Sequence, residues 1–182
     1  MKATGIIRRI DDLGRVAIPK EIRRTLRIHE GAPLEIYLDH DEIIFKKYSF
    51  LGTLESYAKD AVRAMYQTLS MNAAICDTDT IIAYAGDSRC RCQEQHISEE
   101  IQRAIGERKV IIQSASGSQV IPVIEKACWT PKSLLLVPVL MLGETIGAII
   151  LFSEEEKKAP IGDSEIKTCQ TVSALLSRQM EV

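Results

Sequence analysis

The chain has 182 residues, 46% of them hydrophobic and 5% aromatic, with a formal net charge of −2, which fits one domain or two small ones and excludes wholesale disorder. No window holds the roughly 18 apolar residues of a membrane span, since the most apolar run, Leu134 to Leu142, is short and contains Pro138. Met1-Lys2-Ala3-Thr4-Gly5 leads straight into a charged segment with no signal-peptide core, and five cysteines are an odd number, so a cytoplasmic protein without membrane association is expected.

The near-neutral total hides an uneven distribution. Met1 to Ile28 carries eight basic residues (Lys2, Arg8, Arg9, Arg15, Lys20, Arg23, Arg24, Arg27) and three acidic ones (Asp11, Asp12, Glu21), a net +5. The remaining 154 residues carry −7. A basic head on an acidic body is the asymmetry to explain.

In chain order, Gly5 to Ile10 and Gly14 to Ile18 are β-branched runs that predict two strands around the turn-like Asp11-Asp12-Leu13. Pro19 opens a short helix, where its missing N–H is harmless. Lys20, Arg23, Arg24 and Arg27 fall within an arc of about 100° on that helix, opposite Ile22 and Leu26. Leu34, Ile36 and Leu38 alternate with Glu35, Tyr37 and Asp39, predicting a third strand, and Glu42 to Lys47 a fourth after the turn at Asp39-His40-Asp41. Strand, strand, short helix, strand, strand in under 50 residues is too small to bury its own core, so the head should complete it with a partner chain. Four cations on one helix face with no acid among them, beside Arg8, Arg9 and Arg15, favour a phosphate-binding surface over a merely solvated face.

The segment KATGIIRRIDDLGRVAIPKEIRRTLRI, followed by LEIYLDHDEIIFKKY, closely resembles the AbrB-type DNA-binding domain of bacterial transition-state regulators over Met1 to Tyr48. That resemblance implies a swapped-hairpin β-barrel formed by two chains, and a surface that binds double-stranded DNA. The family's basic positions match Arg8, Arg15, Arg23 and Arg24, with Arg9 and Lys20 flanking. It implies reading of DNA shape and flexibility more than a strict base sequence, which suits guanidinium groups. Asp11 and Asp12 fit better as turn formers, or as an orienter of an arginine, than as DNA contacts. MazE-type antitoxins have a similar N-terminal barrel, so an antitoxin is a rival reading; their disordered toxin-binding tail differs from the long periodic second half here.

Residues 49–53 read as a linker and 54–182 as a second domain. Leu54, Ala58, Ala61, Met65 and Leu69 keep helical spacing. Ala73 to Cys76 and Ile81 to Ala85 predict a hairpin about Asp77-Thr78-Asp79. Ile97 to Ile105 predicts a helix, Val110 to Gln113 and Ser133 to Leu140 strands, and Leu142-Gly143-Glu144 a turn into a strand over Thr145 to Phe152. The last helix, Asp163 to Met180, aligns Ile166, Cys169, Val172, Leu176 and Met180. Helices flanking a central antiparallel sheet, with LLLVPVLMLGETIGAIILFSEE as the closing hairpin, resemble a GAF-like α/β/α domain. The whole chain thus reads as α+β, and head and body together resemble the stage V sporulation protein T family of endospore-forming bacteria. That implies a nucleoid-associated regulator of sporulation genes, a homodimer or a homotetramer through paired flanking helices.

Catalytic signatures are sparse. Cys90-Arg91-Cys92 with His96 is an incomplete metal pattern, so neither metal nor cofactor is expected. Exposed loop cysteines are the plainest reading of Cys90 and Cys92; a redox-sensing thiol beside Arg89 and Arg91 is the sharper one. Some GAF domains reduce free methionine sulfoxide with cysteines, which keeps a reductase as an alternative, although such an enzyme needs no DNA-binding head. Cys76 and Cys169 read as core, and Cys128 is left unassigned. The stretch Ser114 to Lys132 borders the expected GAF pocket, where a small-molecule effector would sit; no residue set names it, and a purely dimerising role stays open.

Overall fold

A computed structural model describes residues 5–86, 92–114, 119–127, 129–155 and 161–180. The backbone divides into two compact units, Met1–Tyr48 and Ser49–Val182.

In the first unit the turn at Asp11 forms, but among the described residues the segments Gly5 to Ile10 and Gly14 to Ile18, both predicted as strands, run extended without forming a regular strand. Helix α1 spans Lys20–Thr25, and β1 (Leu34–Asp39) pairs antiparallel with β2 (Glu42–Lys47) in a hairpin. Helix α1 ends earlier than the arginine spacing suggested. Arg27 takes a left-handed φ of 52°, while the Ile28 N–H donates to Arg23 O and the Arg27 N–H to Arg24 O. This is a Schellman stop, so Arg27 leaves the basic face of the helix. Not one described residue of this unit is buried. Ile7 is 87% exposed, Leu38 80% and Ile36 61%. The apolar alternation is present, but the described residues of this unit are too few to bury it. Among the described residues of this unit the hairpin does not close into a barrel.

The second unit is a five-stranded antiparallel sheet in the order β4-β3-β7-β6-β5. The strands are β3 (Asn72–Cys76), β4 (Ile81–Ala85), β5 (Ile111–Ser114), β6 (Ser133–Met141) and β7 (Glu144–Ser153). Among the described residues the helices α2 (Phe50–Thr53), α3 (Glu55–Leu69), α4 (Glu99–Gly106) and α5 (Asp163–Gln179) accompany them. Residues 49–53, expected as a linker, form the capped turn α2 and belong to this unit: Ser49 accepts the Gly52 N–H, and Leu51 is fully buried.

Alternation sorts the strands onto two cores. Ala73, Ile75, Leu135, Val137, Ile149 and Leu151 face α3 and α5, which contribute Ala58, Val62, Met65, Cys169 and Leu176. Ala74, Cys76, Leu134, Leu136, Ile150 and Phe152 face α4, with Ile101, Ala104 and Ile105. Both sides of the central strands are therefore covered, which is why β6 and β7 read as continuous apolar runs. The β6–β7 hairpin turns through Leu142 (φ 49°) and Gly143 (φ 82°), the paired left-handed conformation of a tight two-residue turn. Gly147 is required for another reason: a Cβ there would overlap the Cys76 carbonyl oxygen of the neighbouring strand and the Leu51 methyl group.

Candidate nucleic-acid interface

The six cationic residues expected at the DNA surface all lie in the first unit. Arg8 and Arg9 are exposed on the extended segment before the Asp11 turn, and Arg15 is exposed just after it. Lys20, Arg23 and Arg24 share α1, with Arg23 half-buried and the other two exposed. The last turn of α1 carries Arg23 and Arg24, where the helix dipole favours positive charge. No ion pair engages Arg8, Arg9, Lys20, Arg23 or Arg24 among the described residues. Their charges remain available to an anion.

Arg15 differs. Its Nε donates to Asp11 Oδ2 at 2.9 Å, and its side chain is still 72% exposed. The Asp11 backbone N–H donates to Arg15 O and the Gly14 N–H to Asp11 O, each at 3.0 Å. With Gly14 at a φ of 75°, this is a three-residue hairpin loop, a type I turn followed by a left-handed glycine. Asp11 Oδ1 also accepts the Leu13 and Arg15 N–H groups at 3.0 and 2.8 Å. These backbone and side-chain donors from Arg15 hold the Asp11 carboxyl below its usual range. The sequence marks this loop through aspartate at its first position and glycine at its fourth; of the two aspartates, Asp11 organises the turn.

Among its described residues the second unit offers little chemistry. Cys76 and Cys169 are fully buried, and burial pushes both thiols up, Cys169 to about 12, which suppresses the thiolate. Cys92, expected as an exposed loop cysteine, is instead fully buried in the core beneath α4 and is disulfide-bonded. Cys90, Arg89, Arg91 and Cys128 lie outside the described residues. His96 Nδ1 lies 3.4 Å from Asp79 Oδ1, and Gln102 donates to the same oxygen at 3.4 Å. That contact ties the β3–β4 turn to α4. Among the described residues no three metal-ligating side chains converge. On the α4 side of the sheet Trp129 stacks on Phe152 at 5.3 Å and Tyr84 on Phe152 at 6.3 Å. The Tyr84 hydroxyl donates to Asn72 Oδ1 at 3.0 Å.

Comparison with known proteins follows the two units. Residues 53–181 match the family described as stage V sporulation protein T C-terminal, transcription factor. Residues 7–49 match the family described as antidote-toxin recognition MazE, bacterial antitoxin. Stage V sporulation protein T of Bacillus subtilis is 44% identical over 183 aligned residues, covering 100% of this chain and 99% of that protein. The transition state regulatory protein AbrB of the same organism is 62% identical over 48 residues, 26% of this chain and 50% of its own. Among solved structures, a free methionine-R-sulfoxide reductase from Thermoplasma acidophilum covers 72% of this chain and 95% of its own at a TM-score of 0.55 and 16% identity. The PixJ GAF domain of Thermosynechococcus elongatus covers 73% of this chain and 90% of its own at 0.53, also at 16% identity. At that identity the likeness establishes a GAF-type fold for the second unit and carries no activity with it. The match at both ends of the chain, over its full length, makes this protein a member of the stage V sporulation protein T family of transcription factors.

Proposed function

We propose that the chain is a DNA-binding transcriptional regulator of sporulation genes that acts in the cytoplasm at the nucleoid. The observation that carries this reading is a first unit in which Arg8, Arg9, Lys20, Arg23 and Arg24 have no ion-pair partner among the described residues and apolar side chains such as Ile7, Ile36 and Leu38 stand exposed. Two copies exchanging hairpins into one barrel bury Ile7, Ile36 and Leu38 and present two sets of Arg8, Arg9, Arg15, Lys20, Arg23 and Arg24 about a two-fold axis. Guanidinium groups then hold phosphates bidentately and enter narrow grooves, while the acidic bodies discourage indiscriminate sticking. The 62% identity to AbrB over 48 residues supports reading the first unit as a DNA-binding head of that type.

The second unit assembles dimers into a homotetramer and answers a small-molecule effector. An effector that binds one body conformation better than another shifts how the heads sit on DNA by its differential affinity alone. The protein is not an enzyme in this reading. The reductase likeness rests on fold, and the buried Cys76, Cys92 and Cys169 offer no accessible thiolate. The antitoxin reading is disfavoured because a folded unit follows the head where that family carries a toxin-binding tail.

Equilibrium binding of the full chain to labelled duplex DNA tests the reading. Arg15→Ala and Arg23→Ala each weaken binding while leaving the circular dichroism spectrum unchanged. Unaltered affinity in both variants contradicts the proposed surface.

A further inference from the structure

An acidic residue beside a DNA-binding surface should oppose binding, because its charge repels phosphate. Asp11 stands in that position, yet its carboxylate is committed. One oxygen closes the hairpin turn by accepting the Leu13 and Arg15 N–H groups, and the other takes the Arg15 Nε–H at 2.9 Å. Arginine has five N–H donors. Engaging Nε alone leaves the four donors of the two terminal nitrogens free, and it fixes the plane of the guanidinium relative to the turn. The side chain stays 72% exposed, so the free edge points to solvent rather than into the fold. An unrestrained arginine loses considerable rotamer freedom on binding, and this one has part of that freedom removed beforehand.

We propose that Asp11 is a positioning residue for DNA binding: it aims Arg15 at the DNA and raises affinity despite its negative charge. This rests on the reading of Arg15 as a DNA contact, and the test below separates the two. Asp12, its exposed neighbour, has no such role and acts only as a charge.

Electrostatics and positioning predict opposite signs. Binding of the full chain to a labelled A·T-rich duplex at fixed salt is compared for Asp11→Asn, Asp12→Asn, Arg15→Ala and the double variant Asp11→Asn/Arg15→Ala. Asparagine keeps a side-chain oxygen for the turn N–H groups and removes the charge that holds Nε, and circular dichroism verifies the fold. Asp11→Asn is expected to weaken binding roughly threefold to tenfold, the range of an exposed pair present twice per dimer. Asp12→Asn leaves binding equal or tighter. In the Arg15→Ala background Asp11→Asn no longer weakens binding, because the group it aims is gone.

Unchanged or tighter binding by Asp11→Asn, with Arg15→Ala still weak, overturns the inference and leaves the DNA surface standing. Equal weakening in both backgrounds assigns Asp11 to the turn alone and also overturns it. If Arg15→Ala binds like the parent chain, the underlying reading of Arg15 fails and takes the inference with it.

Discussion

The Ser173 hydroxyl donates to the Pro138 carbonyl oxygen at 2.9 Å and fastens α5 to β6. The register explains the pairing. Strand β5 meets β6 only from Ser133 to Leu136, so Pro138 falls beyond the last β5 partner, where a residue without an N–H breaks no ladder bond. Its carbonyl would otherwise lie buried without a donor, and α5 supplies one. Ser173→Ala therefore leaves a buried acceptor unsatisfied and should lower stability by about 1–3 kcal/mol. Urea unfolding followed by circular dichroism measures it, with no change expected in DNA affinity.

The head makes a separate prediction. Leu38 is 80% exposed and Ile36 61% on the apolar side of β1, and these side chains are the ones a partner head must cover. Leu38→Asp puts a charge into that contact, which an apolar interface cannot accommodate unpaired. The variant is expected to lose head-to-head association in sedimentation velocity and to bind DNA at least tenfold more weakly, since one set of cations replaces two. Both effects should appear together, while the thermal transition of the second unit stays in place.

A pH effect belongs to the start of α5. Burial opposes ionisation of Glu165, but the Gly162 N–H at 2.8 Å, with further backbone and Ser164 donors, outweighs it and holds the carboxyl below its usual value near 4.5. A carboxyl depressed in the folded state stabilises the fold above its unfolded pKa, and that contribution is lost as pH falls through the folded value. Glu165→Gln should thus be less stable than the parent at neutral pH by about 0.5–1 kcal/mol. The gap between the two, read from thermal unfolding, should stay constant down to about pH 4.5 and close below it.

Much of the second unit was legible because burial on both faces leaves its mark on sequence. The run from Ser133 to Ser153 is a hairpin of two apolar strands around Leu142-Gly143, and periodicity located it to within a residue. Helix α5 was equally plain, since Cys169 and Leu176 sit at core spacing. Two readings failed for local reasons. Arg27 kept helical spacing on paper, but the chain stops helix at Leu26 through backbone bonds that residue types do not announce. Residues 49–53 looked like a linker because Gly52 and Ser49 suggest a break, yet Ser49 caps a helical turn that buries Leu51. At the basic surface the sequence supplied the charges and a turn signal, but not the division of labour within the turn, where Asp11 takes Arg15 and leaves Arg8 and Arg9 unpaired. Spacing in sequence does not say which of two adjacent carboxylates reaches an arginine.

The salt dependence of DNA binding tests the central claim most directly. Each phosphate neutralised contributes a slope of about −0.9 in log affinity against log salt, so a dimer engaging half of its twelve proposed cations gives a slope near about −5. Arg15→Ala and Arg23→Ala should each make that slope shallower. Binding that persists with a flat salt response, or a slope unmoved by both variants, would contradict a DNA surface built from the arginines of the first unit.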